Sequence, residues 1–197
     1  MASQLEIANW ALMMLGEKRL SALSDDTANA ENLTAGWDMV RDAQLCTSSW
    51  KFAIERTTLA VDADAPAYGY DYQYTIAGNV VRTLRVSETY PGLDLSDFRG
   101  SDTALYRIEQ GKILTSIGAP LYVKWIINST NVGLYHPAFA KLLACDLAEY
   151  LNPRATESEA VAQRISYQRE QAWSVASITN AIEDPPDHPA DDSWLAA

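Results

Sequence analysis

Hydrophobic positions recur every three or four residues over the first fifty residues, which is the spacing of an amphipathic helix. This spacing predicts a helix over 3–15, with Gly16 as its stop. It predicts a second helix that follows Asp25 or Asp26 as its cap and runs to about Ser49. The second helix carries two apolar stripes, so we expect it to be covered on two sides, as the central helix of a bundle. The stripes are Ala30, Leu33, Trp37 and Val40, and Ala35, Met39, Ala43, Cys46 and Trp50.

The period changes from helical to alternating between Phe52 and about Asn128. In the segment 68–76, apolar and polar residues take opposite faces of a strand. A tight turn is predicted at 77–79, and a hairpin turn at Gln110-Gly111. We count about five or six antiparallel strands, enough for a small sandwich or a curled sheet. The alternating faces are Tyr70, Tyr72, Tyr74 and Ile76 on one side, and Asp71, Gln73 and Thr75 on the other.

The helical period returns after residue 128. Pro137 suits the first position of a helix, where its missing N–H costs nothing, and Pro153 is expected to end that helix. Thr156 and Glu159 have capping-box spacing and open a last helix that reaches Ile182. The order of elements predicts an α+β protein: a four-helix body with an inserted antiparallel β lobe and an extended C-terminal arm. The predicted domains are a helical body of 1–51 and 129–182, a β lobe of 52–128 and an arm of 183–197.

Charge and composition restrict the function. The chain has 197 residues and a formal net charge of −11, which disfavours a duplex-binding protein and with it a DNA-end-binding packaging factor. The N-terminus lacks the features of a signal peptide, and the longest apolar runs are far short of a membrane span, so we expect no membrane partner. Cys46 and Cys145 are expected to be small buried hydrophobes with free thiols in a reducing cytosol.

Catalytic signatures are missing from the sequence: it holds no Gly-rich phosphate loop, GxSxG elbow, HExxH motif or paired CxxC. We therefore predict no enzyme, no cofactor and no metal site. His136, just before Pro137, is interpreted as a helix-entry residue. Asp146 falls on an apolar stripe, so we expect it to be partly buried and paired with an arginine such as Arg41, or with a tryptophan N–H.

The tyrosine-rich strand permits two interpretations. Aromatic faces with polar neighbours bind sugars, and Glu55, Asp71 and Glu109 are candidates for paired carboxylates, which would make a glycan-binding or glycan-degrading protein. Tyrosine and tryptophan also favour protein interfaces, which makes this strand a candidate subunit or tail interface. The candidate interface residues are Tyr70, Tyr72, Tyr74 and Trp37.

The C-terminal segment is acidic and proline-rich, yet it ends in an apolar pair. An extended strap with an aromatic anchor is suited to gripping a neighbouring protein. The residues predicted for this arm are Asp184, Pro185, Pro186, Asp192, Trp194 and Leu195.

A family resemblance extends over nearly the whole chain. It rests on Leu15-Gly16-Glu17 at the end of the first helix, Trp50-Lys51-Phe52-Ala53 at the opening of the sheet, the strand 81–86 and the Ala/Leu helix 139–151. In this order and spacing the chain resembles the tail tubular protein A, or head-to-tail adaptor, family of short-tailed bacteriophages.

The resemblance implies a structural protein of the virion neck, assembled in the cytoplasm of the host bacterium. It implies a ring, commonly a dodecamer, between the portal protein and the tail nozzle protein. Because an interface of this kind is assembled on the portal, we expect the free chain to be a monomer. DNA would pass through without sequence-specific binding, and the arm would embrace the portal. Glycan degradation has been suggested for some members, but no catalytic motif here supports it.

Overall fold

The structure of the chain is a computed structural model that describes residues 2–88, 105–155 and 158–183. Within these ranges it forms four helices and two three-stranded antiparallel sheets, which confirms the predicted α+β class. The helices are α1 (Gln4–Leu15), α2 (Ala28–Thr47), α3 (Pro137–Ala155) and α4 (Glu159–Ile182). The strands are β1 (Ile54–Leu59), β2 (Tyr72–Thr75), β3 (Val80–Ser87), β4 (Tyr106–Glu109), β5 (Lys112–Thr115) and β6 (Leu121–Ile127).

Local signals set the ends of the first two helices. Ser3 and Glu6 form a capping box at the start of α1, and Gly16 ends it in the left-handed region, as predicted. The cap of α2 is Thr27, whose hydroxyl accepts from the Ala30 amide at 3.2 Å, so the prediction of Asp25 or Asp26 was wrong. Asp25 instead accepts from two amides of the preceding loop.

The central helix of the body is α3, not α2 as the two stripes of α2 predicted. It packs against α1, α2 and α4, and its buried residues lie on several sides, including small side chains such as Ala140, Ala144 and Ala148. These small residues let three helices approach it. Gly36 of α2 has the same role, because a Cβ there would collide with the ring of Tyr150. Pro153 does not end α3, which continues to Ala155.

The strands form two sheets: sheet A, in the order β1-β6-β3, and sheet B, in the order β2-β5-β4. The predicted hairpin at Gln110-Gly111 is confirmed: it joins β4 to β5, and both turn residues have positive φ, as a type I′ hairpin turn requires. The predicted turn at 77–79 is also present, with the Val80 amide donating to the Ala77 carbonyl at 3.0 Å. It carries the chain from sheet B to sheet A.

Sheet A is the middle of three layers and contributes to two cores. Its inner face packs on sheet B through Val86, Val123 and Trp125 against Tyr74 and Ile113. Its opposite face packs on the helices, through a set that comprises Ile54, Val81, Leu84 and Ile126. The β lobe is therefore a small sandwich attached to the helical body through one of its two sheets.

The junction of helix and sheet is an aromatic cluster around Phe139. Its ring centroid lies 4.9 Å from that of Trp50, 4.7 Å from Phe52 and 5.1 Å from Tyr135. Asn180 of α4 clamps the same junction: it accepts from the Lys51 amide at 2.9 Å and donates to the Ser49 carbonyl at 3.0 Å. The Trp-Lys-Phe-Ala segment thus fixes the lobe to the end of α4.

Candidate interaction surfaces

Two of the four predicted interface residues are buried inside the chain. Tyr74 points into the core between the sheets, where its hydroxyl donates to the Ile117 carbonyl at 2.7 Å. Trp37 lies in the helical core. Neither side chain offers a surface to a partner, which corrects that part of the prediction. The error arose because the inward face of a strand or helix depends on which layers cover it.

The other two tyrosines, Tyr70 and Tyr72, keep part of their surface accessible. Tyr70 lines a groove of about 550 Å³ on sheet B, together with Tyr68, which is 89% exposed. We call this the tyrosine groove. Its polar lining includes Gln73, Arg107, Glu109 and Lys112. Aromatic rings beside such donors and acceptors are the usual elements of a sugar-binding surface.

The three candidate carboxylates are not brought together. Glu55 lies on sheet A, where its carboxylate accepts from Trp125 Nε1 at 3.1 Å. Asp71 and Glu109 lie at opposite ends of sheet B, because Glu109 is in the register row of Thr75 and Asp71 precedes β2. Four residues of strand separate those rows by about 13 Å. Paired glycosidase carboxylates are about 5–9.5 Å apart, so this arrangement does not form such a pair.

His136 has the structural role predicted for it. Its Nδ1 accepts from the Ala138 amide at 3.1 Å, which caps the start of α3. The described residues hold no group of three or more His, Cys, Asp or Glu side chains placed to bind a metal ion. Among the helices in the same ranges, none combines the length and apolar character of a membrane span. Cys145 is buried as predicted, whereas Cys46 is exposed, which corrects the expectation for that thiol.

Asp146 is buried in the helical body and paired, but its partner is Arg169 of α4, not Arg41. Arg169 Nε lies 2.5 Å from Asp146 Oδ1, and the Asp146 side chain is 9% exposed. Arg41 instead pairs with Asp38 and Asp42 on its own helix. Burial raises the pKa of the Asp146 carboxyl above its ordinary value, although Arg169 opposes that shift. The pair joins α3 to α4.

An apolar row is exposed along the last three turns of α4. Val175, Ile178 and Ile182 are 56%, 58% and 76% exposed. Their spacing of three and four residues places them on one face, and Tyr167, also exposed, extends that face toward the start of the helix. The residues of α4 that pack on the body are Ile165, Ala172 and Ala176, which lie on a different face. We call Tyr167, Val175, Ile178 and Ile182 the α4 band.

A second bare helical face lies on α2. It carries Ala35, Met39, Ala43 and Cys46, all of which are exposed, and we call it the α2 band. The sequence predicted that this stripe would be covered within the chain, and this was wrong. On α4, Ile182 lies about 100° around the helix from Ile165, at 100° per residue, so the two residues lie on different faces.

The predicted arm falls on residues outside the described ranges, apart from Glu183. A comparison with known protein families finds no match for the chain, and a comparison with curated proteins finds none that is significantly similar.

Proposed function

We propose that this chain is a structural head-to-tail adaptor of a bacteriophage, similar to tail tubular protein A. Copies of it form a ring between the portal protein and the tail nozzle, and DNA passes through that ring. The protein needs no cofactor and catalyses no reaction in this role. Its place is the neck of the virion, and assembly takes place in the host cytoplasm.

The observation that carries this proposal is the α4 band. Large aliphatic side chains at helical spacing are rarely left in water as one contiguous face, and such faces mark protein–protein contacts. The band also runs to the end of α4, where the acidic arm begins. Ring and arm contacts would therefore be adjacent, as the resemblance implies.

The α2 band suggests how a ring closes. A cyclic ring of identical subunits needs two different surfaces on each copy, one for each neighbour. The α4 band carries large side chains, whereas Ala35 and Ala43 leave shallow positions on α2. We infer that the α4 band of one copy packs on the α2 band of the next, as ridges pack into grooves.

The test is to image the chain mixed with portal protein and look for a rotationally symmetric collar. Ile178→Glu should remove the chain from the collar because it buries a charge in the contact, and Met39→Glu should do the same from the other side. Ser166→Glu is the matched control, since it adds the same charge to an exposed residue that lies about 120° around α4 from Ile178. All three variants should keep the wild-type circular dichroism spectrum.

The two band variants also test the pairing itself. In a mixture, the Ile178→Glu chain keeps an intact α2 band and the Met39→Glu chain keeps an intact α4 band. The two variants should therefore form one contact with each other, but this contact cannot be repeated around a ring. A collar formed by either variant alone would exclude the proposed pairing.

Truncation after Asp184 should abolish portal docking and leave the body folded, and normal docking by the truncated chain would refute the role of the arm.

The tyrosine groove supports a second candidate function, the binding of a glycan by a tail protein. Tyr68 and Tyr70 offer ring faces beside polar donors and acceptors, although the candidate carboxylates are dispersed. Glycan-array binding that is lost in Tyr68→Ala and retained in Ile178→Glu would favour this function. A symmetric collar without glycan binding would favour the adaptor.

A further inference from the structure

Three basic side chains form one row across the full width of sheet A. Arg56 of β1 and Arg85 of β3 are both register partners of Lys124 on the central strand β6. Directly paired residues of antiparallel strands lie on the same face of the sheet. Strands are spaced about 4.8 Å apart, so the row is about 10 Å wide.

A row of three hydroxyls lies beside the basic row. Thr58 and Ser87 are both register partners of Tyr122, two residues along each strand from the basic row. The two rows are therefore about 7 Å apart on one face. Residues of the intervening row, Val86 and Val123, face the core between the sheets, which confirms the orientation. We call the six side chains the donor grid: Arg56, Lys124, Arg85, Thr58, Tyr122 and Ser87.

The donor grid lines a groove of about 550 Å³. The same face of sheet A is covered by helices two residues earlier on β1, where Ile54 pairs with Ile126 and both pack on the body. The grid is thus the part of this face that extends beyond the helices. Arg85 Nε donates to Ser87 Oγ at 3.0 Å, which holds that guanidinium over the hydroxyl row.

The local charge differs from that of the whole chain. The net charge is −11, yet the described parts of the β lobe, 52–88 and 105–127, hold six Lys or Arg and six Asp or Glu. Half of those six basic residues are in the donor grid. The acidic excess belongs to the rest of the chain, so the average charge conceals a basic surface.

The geometry points to a binding site for the phosphodiester backbone of DNA at the donor grid. Arginine, lysine, serine, threonine and tyrosine side chains are the groups that contact phosphate oxygens in protein–DNA complexes, and both rows consist of them. Because these contacts carry no base information, binding is independent of sequence. This goes beyond the adaptor role, since a passage for DNA requires no group that binds it.

The predicted signature is the salt dependence of binding. Three phosphate contacts give a slope of log K against log salt of about −2.1 for a single strand and about −2.7 for a duplex. Affinity should then fall about 20-fold for a single strand, or about 40-fold for a duplex, between 50 and 200 mM salt. The slope is therefore expected to be steeper for the duplex than for the single strand.

The experiment is a fluorescence anisotropy titration of the full chain with labelled 20-nucleotide single-stranded and duplex DNA of two unrelated sequences. Lys124→Gln should reduce the slope by about 0.7 to 0.9, and the triple variant Arg56→Gln, Arg85→Gln, Lys124→Gln should abolish binding. Lys18→Gln with Arg19→Gln is the control, because both residues are exposed basic residues of the helical body. It should bind as the wild type does.

Three results would overturn the proposal: no salt-dependent binding of either DNA, undiminished binding by a folded triple variant, or equal loss in the control. Binding of polyglutamate in place of DNA, lost in the triple variant, would instead assign the groove to an acidic peptide. Circular dichroism confirms that each variant is folded. The measurement uses the free chain without portal, so its outcome is separate from that of the collar experiment.

Discussion

Replacing Arg169 with glutamine leaves the carboxylate of Asp146 buried between α3 and α4 without the cation that pairs with it. The Asp146 side chain is 9% exposed, and its buried Oδ2 has no hydrogen-bond partner among the residues that the structure describes, so Arg169 supplies the main compensation. Removing one partner of a buried ion pair costs about 3–5 kcal/mol of unfolding free energy. Arg169 is itself 38% exposed, and water screens the pair. We therefore expect a loss of about 2–3 kcal/mol at pH 7.5.

The loss should depend on pH with a definite sign. Burial already raises the pKa of Asp146, whereas Arg169 lowers it. Removing Arg169 should therefore raise the pKa of Asp146 further. A carboxyl with a raised pKa binds its proton in the native state before the unfolded state does, so acidification through that pKa increases the stability of the native state. The deficit of Arg169→Gln relative to wild type should therefore narrow between pH 7.5 and pH 5.

The assay is urea unfolding followed by tryptophan fluorescence at both pH values. Asp146→Asn should remain within about 1 kcal/mol of wild type, because an uncharged amide needs no counter-ion. The double variant Asp146→Asn, Arg169→Gln should be more stable than Arg169→Gln alone, which measures the coupling directly. A deficit that is constant with pH, or a double variant no more stable than the single one, would refute this account of the pair.

Three further predictions concern the two cores and the thiols. Tyr74→Phe should lower the unfolding free energy by about 1 kcal/mol, measured by urea unfolding, because the Ile117 carbonyl loses its donor. Phe139→Ala should lower it by about 3–5 kcal/mol in the same assay, since it empties the centre of the aromatic cluster; a smaller change would mean that the cluster closes around the gap. In native protein, Cys46 should react with a thiol reagent within minutes, whereas Cys145 should react only on unfolding, because it is buried and its pKa is raised to about 11. Equal rates for the two thiols would contradict their placement.

Local features of the sequence were sufficient for some of the element boundaries of this fold. Gly16 ends α1 and Gln110-Gly111 turns the hairpin, because each depends only on the conformations that its own residues allow. Pro137 begins α3 for the same reason. The alternation of 52–128 was sufficient to predict an inserted antiparallel lobe.

Properties that depend on distant partners were not predictable in this way. The partner of Asp146 is Arg169, 23 residues away on another helix, and one sequence does not identify which arginine faces it. Tyr74 and Trp37 were candidate interface residues because aromatic side chains suit both a hydrophobic core and a protein–protein interface. Which of the two they enter depends on the layers that cover them in the fold. The donor grid depends on register, since Arg56, Arg85 and Lys124 come from three separate strands.

Trp125 and Ile126 are consecutive in β6, yet they enter different cores, one between the sheets and one against the helices. The lobe cannot swing relative to the helices unless this strand leaves both. A force applied at the tyrosine groove would therefore be transmitted through β6 to Phe139 and α4, without a change in the angle between the lobe and the helices. A subunit built this way would respond to strain at one end by moving as a whole.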